Sequence, residues 1–348
     1  MNKPDLKNLS LDQLTDFTAG LGLPAFRARQ IFSWLYRPGI RNFVQMTDIA
    51  KELRLRLEER AEFSSFEPAV LERSEDGTIK FGFLLNDGNL VETVLISEED
   101  RHTLCVSSQV GCAMDCAFCL TGSMGFKRNL SPAEMVNQVC AVQEYLHTEG
   151  RGVLNNLVFM GMGEPLANLD NLLIALAILT EQRGLDFSDR RITVSTCGLV
   201  PKMRELGLNT TVNLAVSLHS VDNEVRSRLM PINRTYGVEV LLAACREFPM
   251  PKRKRIMFEY ILLAGINDSA ADAELLARRL QGIRCKINLL PYNETPALAF
   301  KRSSVEQIEK FQQILWRAGY TVLIRNSRGA DISAACGQLA GREKTDQP

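Results

Sequence analysis

The chain has 348 residues, 45% of them hydrophobic, and its 41 Lys and Arg balance 41 Asp and Glu. That length supports one large core, or one large domain with a smaller attachment, and zero formal charge gives no support to a generally basic nucleic-acid binder, although local basic patches remain open. The longest apolar run, Leu172 to Leu179, falls far short of the roughly 20 residues that span a bilayer, which excludes a membrane-spanning helix. Met1-Asn2-Lys3-Pro4-Asp5 is polar and lacks a signal-peptide core, so the chain is expected in the cytoplasm. There, nine cysteines are expected to be thiols, metal ligands or catalytic groups rather than structural disulfides.

Residues 1–65 read as helical. Leu9-Ser10-Leu11-Asp12 starts one helix, Pro24 opens a second over Phe26 to Tyr36 that Pro38-Gly39 stops, and a third covers about Asp48 to Arg60. These helices are rich in Arg and Lys and carry Phe32, Trp34 and Tyr36. The aromatics serve either the core of a small bundle or an accessory RNA-docking surface. Within residues 66–100, Ile79, Phe81, Phe83 and Leu85 alternate, Asn86-Asp87-Gly88-Asn89 supplies a turn, and Leu90 to Ile96 is β-branched, which predicts a β-hairpin extension.

From about residue 103, strands and helices alternate. The predicted strands are Thr103–Ser108, Leu157–Met160, Ile192–Ser195, Val212–Leu218, Ile256–Leu262 and Lys286–Leu290. One helix starts at Ser131-Pro132-Ala133-Glu134, where Ser131 and Glu134 make a capping box and Pro132 suits the first turn. Others cover Asn168–Gln182, Val238–Glu247, Ala270–Leu280 and Val305–Ala318. Six βα units predict an α/β fold, either an open doubly wound sheet or a curled partial barrel, with chemistry at the carboxyl ends of the strands. The run Lys252-Arg253-Lys254-Arg255 is either a solvated turn or a phosphate-contacting patch. A last strand, Thr321–Arg325, leads into an irregular tail.

The densest chemical signal is Cys112-Ala-Met-Asp-Cys116-Ala-Phe-Cys119, directly after the first of these strands. Structural zinc and ordinary 4Fe-4S clusters both take four protein ligands, and no fourth cysteine stands at a standard spacing nearby. Three thiolates on a cluster leave one iron open to a substrate. The spacing, with an aromatic before the last cysteine, resembles the radical S-adenosylmethionine superfamily, in which the open iron chelates the methionine part of that cofactor. Gly161-Met162-Gly163-Glu164-Pro165 follows the next strand and is similar to the superfamily stretch that lies along the methionine amino group, with Gly163 and Glu164 as contacts. Ser195, Ser217-Leu218-His219 and Asn293 stand at later strand ends and fit the same cofactor-binding face.

Phe26-Arg27-Ala28-Arg29-Gln30-Ile31-Phe32, Asp76-Gly77-Thr78, Val91-Glu92-Thr93-Val94, Thr103 through Cys112, and Ala334-Ala335-Cys336-Gly337-Gln338-Leu339 carry a closer likeness. Across nearly its whole length the chain resembles the RlmN family of adenine-C2 RNA methyltransferases, with the C8-directed Cfr type as near relatives. The resemblance implies a partial (βα)6 barrel of radical SAM type over residues 101–328, an N-terminal helical domain, and a tail, 329–348, that carries Cys336. It implies a 4Fe-4S cluster on Cys112, Cys116 and Cys119, and two S-adenosylmethionines per turnover. One methylates Cys336; the other yields the 5′-deoxyadenosyl radical that takes hydrogen from that methyl group. The methylene radical then adds to the base, Glu92 accepts the ring proton, and Cys105 resolves the adduct by a transient disulfide with Cys336. The implied substrates are an adenosine in the peptidyl-transferase region of 23S rRNA and the adenosine beside the anticodon in some tRNAs. The implied context is a monomer served by a flavodoxin-like one-electron reductant. C8 methylation of the same rRNA adenosine and a zinc-stabilised RNA-binding module are the alternatives. Cys140, Cys197, Cys245 and Cys285 match no role and read as packed thiols.

Overall fold

The computed structural model describes residues 3–99 and 101–340. Residues 1–2 of the N-terminal segment, Asp100 at the end of the hairpin segment and residues 341–348 of the tail lie outside the described residues.

Twelve strands are described: β1 (Val70–Arg73), β2 (Ile79–Leu84), β3 (Leu90–Glu98), β4 (Arg101–Cys105), β5 (Gln109–Gly111), β6 (Phe126–Asn129), β7 (Leu154–Phe159), β8 (Ile192–Thr196), β9 (Asn213–Ser217), β10 (Ile256–Leu262), β11 (Cys285–Pro291) and β12 (Val322–Ile324). Ten of them form one sheet in the order β1-β2-β3-β4-β7-β8-β9-β10-β11-β12, and β5 pairs with β6 separately. Within the ten-stranded sheet every pairing from β4 to β12 is parallel, while β5 and β6 pair antiparallel. The ladder runs from β1 to β12 without closing. Parallel strands need crossovers, and the helices that make them cover one face of the sheet, which is apolar, while Ser195, Ser217, Glu259 and Asn288 lie on the other face. Ile192, Val194, Val216, Phe258, Ile287 and Leu289 are all fully buried.

The helices are α1 (Leu11–Gly20), α2 (Ala25–Leu35), α3 (Lys51–Arg60), the single turn α4 (Leu120–Ser123), α5 (Pro132–Thr148), α6 (Leu169–Thr180), α7 (Val200–Asn209), α8 (Asn223–Leu229), α9 (Val238–Glu247), α10 (Ala270–Arg279) and α11 (Val305–Arg317). In the N-terminal unit, Ala28, Ile31, Phe32 and Leu35 make the inward stripe of α2. Phe32, Trp34 and Tyr36 are all buried, which places these aromatics in the core rather than on a docking surface. Lys7 Nζ donates to Asn137 Oδ1 at 2.9 Å and Ala133 N donates to Asn8 Oδ1 at 2.9 Å, so this unit leans on α5. A cavity of about 380 Å³ between Asp5, Glu62, Leu84, Arg128 and Glu134 lies at that seam and touches none of the cysteines.

The hairpin does not stand apart: β3 pairs antiparallel with β4, so β1–β3 prolong the barrel sheet. The predicted strand Thr103–Ser108 stops at Cys105, because Ser107 N turns to Gln138 Oε1 (2.8 Å) and Ser108 N to Met162 O (2.9 Å). No helix of the described residues is long and apolar enough to cross a membrane.

Candidate active site

All the parallel strands point one way, so the segments leaving their carboxyl ends collect on one face. The cysteine loop follows β4 through β5. Cys112 N donates to Gly125 O (3.0 Å), Cys119 N to Cys116 O (3.0 Å), and Ala117 N to Leu229 O at the end of α8 (2.9 Å). Met114, Cys116 and Phe118 pack in an apolar group with Cys197, Leu229, Met230, Ile261, Leu263 and Tyr292. Among the described residues no three donor side chains are already arranged to hold a single metal ion. The donor set nevertheless fits an iron–sulfur centre. Burial, then the charges of Glu164 and Cys119, push the Cys112 thiol up to about 12. Burial, then Cys119 and Cys112, push Cys116 higher still. Thiols so placed lose their protons only against a cationic centre, and three of them leave one iron of a 4Fe-4S cluster without a protein ligand.

The segment after β7 forms the neighbouring wall. Gly163 has φ +95°, and a Cβ there would lie 2.4 Å from the Cβ of Gln109. Only glycine lets this backbone approach so closely. Glu164 N donates to Gln109 Oε1 (2.8 Å), while its buried carboxylate accepts from Cys197 N (2.8 Å) and Leu166 N (3.1 Å). Burial raises the Glu164 pKa despite those two amides. Ser195 and Ser217 are half-buried at the ends of β8 and β9. Leu218 N donates to Glu259 O at 3.0 Å, which turns the chain after β9. His219 sits at φ +57° with its ring edge-on to Phe118, centroids 4.7 Å apart. Its Nδ1 accepts from Ile261 N at 3.0 Å, so the ring proton is on Nε2. Burial, then the Arg226 charge, hold this imidazole neutral, with its pKa down at about 3. Asn293 follows β11, half-buried, next to Tyr292 of the apolar group around the loop.

The tail is docked rather than free. Leu120 N donates to Gly337 O at 2.8 Å, and Thr121 Oγ1 donates to Leu339 O at 2.7 Å. A Cβ on Gly337, whose φ is +80°, would meet Phe118 O at 3.2 Å and Cys119 Cα at 3.8 Å. Cys336 is therefore held against the cysteine loop through its neighbour. The residue as a whole is exposed, yet burial of its sulfur pushes the thiol up, while the Arg325 charge pulls it down and Glu259 and Cys119 push it up. Cys105, on β4, is within reach of the Cys336 charge, and burial followed by that charge pushes it up to about 12. Val94 pairs with Cys105 across β3 and β4, and Glu92 is two residues further along β3, on the same face. Ala340 N donates to Glu92 Oε2 at 2.8 Å. One face thus brings together the loop cysteines, Gly163, Glu164, Ser217, Leu218, His219, Cys105, Cys336 and Glu92.

One sequence candidate falls elsewhere. Lys252 to Arg255 precede β10, at the amino end of the strand and opposite the site. Lys254 is buried and bonded to Asp189 and the Thr211 carbonyl, so it is a structural cation. Cys245 and Cys285 are buried in the main core, as read, and half-buried Cys140 packs against it. Cys197 is also buried, but it borders the site through Glu164. Sequence reasoning passed over Ser107, Gln109, Lys80 and Arg226. Ser107 Oγ donates to Glu92 O (2.6 Å) and accepts from Met162 N (2.8 Å), joining the hairpin to the glycine segment.

Residues 4–63 match the family model of the ribosomal RNA large subunit methyltransferase N-terminal domain, and residues 106–276 match the radical SAM superfamily. The chain is 60% identical to a dual-specificity RNA methyltransferase RlmN from Desulfotalea psychrophila, covering 99% of this chain and 97% of the relative. It is 56% identical to the protein of the same name from Geobacter sulfurreducens, covering 97% and 92%. The crystal structure of a radical SAM methyltransferase from Sphaerobacter thermophilus superposes with a TM-score of 0.91 at 46% identity, covering 97% of this chain and 100% of that one. With the cysteine loop, glycine segment and docked tail on one face, and with identity sustained end to end, the chain belongs to the RlmN family within the radical SAM superfamily.

Proposed function

We propose that the chain methylates C2 of an adenosine in the peptidyl-transferase region of 23S rRNA and of the adenosine 3′ to the anticodon in some tRNAs. The names of its relatives, dual-specificity RNA methyltransferases, support an RNA substrate of two kinds and favour C2 over the C8 alternative. The observation that carries the reading is the Gly337–Leu120 hydrogen bond, which holds Cys336 beside the cysteine loop.

Cys112, Cys116 and Cys119 would hold the cluster, while Gly163, Glu164, Ser195, Ser217, Leu218, His219 and Asn293 would hold S-adenosylmethionine. The bound cluster and cofactor supply the methyl group and the one-electron chemistry that activates it. Adenine C2 has no useful lone pair, so a polar methyl transfer to it fails, whereas the Cys336 thiolate is a competent nucleophile. Cys336 takes a methyl group by displacement, and after hydrogen-atom loss the carbon on its sulfur bonds to C2. Glu92 accepts the C2 proton. The adduct's unpaired electron would return to the bound cluster; Cys105 then loses its proton and attacks the Cys336 sulfur, the bond from that sulfur to the new carbon breaks, and that carbon takes a proton as 2-methyladenine departs, leaving a Cys105–Cys336 disulfide. Lys80 Nζ lies 3.4 Å from Glu92 Oε1 and the Ala340 amide donates to Oε2, so the carboxylate is held in place from two sides. A flavodoxin-like donor, a cytoplasmic location and a monomeric state complete the proposal.

Anaerobic turnover with RNA and S-adenosylmethionine tests it, with 5′-deoxyadenosine and the modified nucleoside followed together. The expected product is 2-methyladenosine. Formation of 8-methyladenosine would reassign the regiochemistry, and a protein holding zinc without acid-labile sulfide would refute the reading.

A further inference from the structure

Arg226, on α8, is among the largest wholly buried side chains of the molecule. Its Nε donates to Leu218 O (3.1 Å), Nη1 to Asn233 Oδ1 (2.9 Å), and Nη2 to Cys197 O (2.8 Å) and Ser217 O (3.2 Å). All four acceptors are neutral, and among the described residues no carboxylate comes within ion-pair distance of it. The hydrogen bonds are satisfied while the charge is not. A buried charge without a counter-charge is among the costlier features a fold can carry. The group stays charged at neutral pH all the same, since burial lowers its pKa only to about 10.

The packing shows where its partner belongs: Nη2 donates to the carbonyl of Cys197, and Cys197 packs in one apolar group with Cys116, the middle cysteine of the loop. Leu229, one turn on from Arg226, accepts from Ala117 N, so α8 and the loop are fastened together. The same side chain ties the carbonyl ends of β8 and β9, where the cofactor-binding residues stand. It is a fixed cation under the loop, with no mobile tether to carry it elsewhere.

We propose that Arg226 is the built-in counter-cation of the iron–sulfur centre and holds its reduction potential up. The inference rests on the radical SAM reading of the loop. Three thiolates on an oxidised 4Fe-4S cluster leave it with one net negative charge, and the electron from the reductant makes two. A fixed cation stabilises the second state more than the first, and net charge is among the determinants of cluster potential. Arg226 acts through the cluster and is a positioning and tuning residue.

The test is a potentiometric titration of anaerobically reconstituted full-length protein, read by the electron paramagnetic resonance of the reduced cluster, without RNA. Arg226→Gln is expected to lower the midpoint so that the reduced-to-oxidised ratio at a fixed poise falls about tenfold, which is about 59 mV for a one-electron couple. Arg226→Lys is expected to keep most of the wild-type midpoint. Asn233→Asp leaves the arginine in place and supplies the missing carboxylate, so its midpoint is expected to fall in the same direction. This milder variant decides the matter if Arg226→Gln does not fold. An unchanged midpoint in iron-loaded Arg226→Gln or Asn233→Asp overturns the proposal, as does an Arg226→Lys midpoint as low as that of Arg226→Gln. A wild-type protein that takes up no iron or sulfide would instead overturn the superfamily reading.

Discussion

Glu92 and Ala340 are joined by one hydrogen bond, from the Ala340 amide to Oε2 at 2.8 Å. The other carboxylate oxygen lies 3.4 Å from Lys80 Nζ, and Lys80 also donates to Ile332 O at 2.7 Å. Ile332 and Ala340 flank Cys336, so Lys80, which also pairs with Glu72 at 2.9 Å, and Glu92 grip the tail on both sides of that cysteine. The proposed proton acceptor and the cysteine that would bear the methyl group therefore belong to one mechanical unit.

Lys80→Met removes the cation that joins Glu72, Glu92 and the Ile332 carbonyl. The change is expected to cost about 3 kcal/mol of stability and to loosen the tail. Urea unfolding measures the first effect, and faster proteolysis near residue 336 measures the second. Lys80→Arg, which keeps a cation and donors, is expected to restore most of both.

Glu92→Gln keeps the shape of the side chain and removes the base. If Glu92 takes the C2 proton, release slows by about 10²–10⁴-fold, the usual contribution of a general base. Protein joined covalently to RNA then accumulates and is seen as a slow band on a denaturing gel. A variant that turns over at the wild-type rate with no such band would remove Glu92 from the role.

Gly163→Ala tests the wall next to the cysteine loop. At φ +95° a side chain costs about 1–3 kcal/mol in the backbone alone, and the new Cβ would press on Gln109. Cofactor affinity is expected to fall at least tenfold by equilibrium dialysis, with the cluster still loaded. The neighbouring Gln109 must give way for any other result.

His219 predicts a pH effect on stability. Its folded pKa is held at about 3, by burial first and the Arg226 charge second, whereas an imidazole in the unfolded chain titrates near 6.5. The unfolded state thus binds the proton more readily between these values. The stability tied to the neutral ring is complete above pH 6.5 and is lost as pH falls toward 3. Between pH 7 and pH 5 the loss is about 2 kcal/mol. His219→Asn offers an acceptor to Ile261 N and tolerates the positive φ, so its urea midpoint should change less over that interval than the wild-type midpoint.

The barrel was legible where local pattern and tertiary role agree. The bounds of β10 and α9 are those the pattern predicts, and α5 starts with the Ser131–Glu134 capping box. β1 escaped notice because Glu72 and Arg73 occupy half of its four residues. α7 escaped because Pro201 and Gly207 lower its helical propensity. The cysteine loop and glycine segment are local in sequence and could be read directly. The docked tail could not, since Glu92 and Ala340, or Thr121 and Leu339, meet only after long chain excursions. Arg226 lies in Arg226-Ser-Arg228, which reads as an exposed helix face. Its burial is decided by Leu218, Cys197 and Asn233, all outside its own helix.

In the proposed reaction the tail delivers Cys336 to the cysteine loop as the carrier of the methyl group. Peptide mass analysis of protein purified anaerobically and incubated with S-adenosylmethionine tests this most directly. The peptide holding Cys336 is expected to gain one methyl group, with none on Cys105. A Cys336 peptide left unmodified by an enzyme that methylates RNA in the same preparation would contradict it.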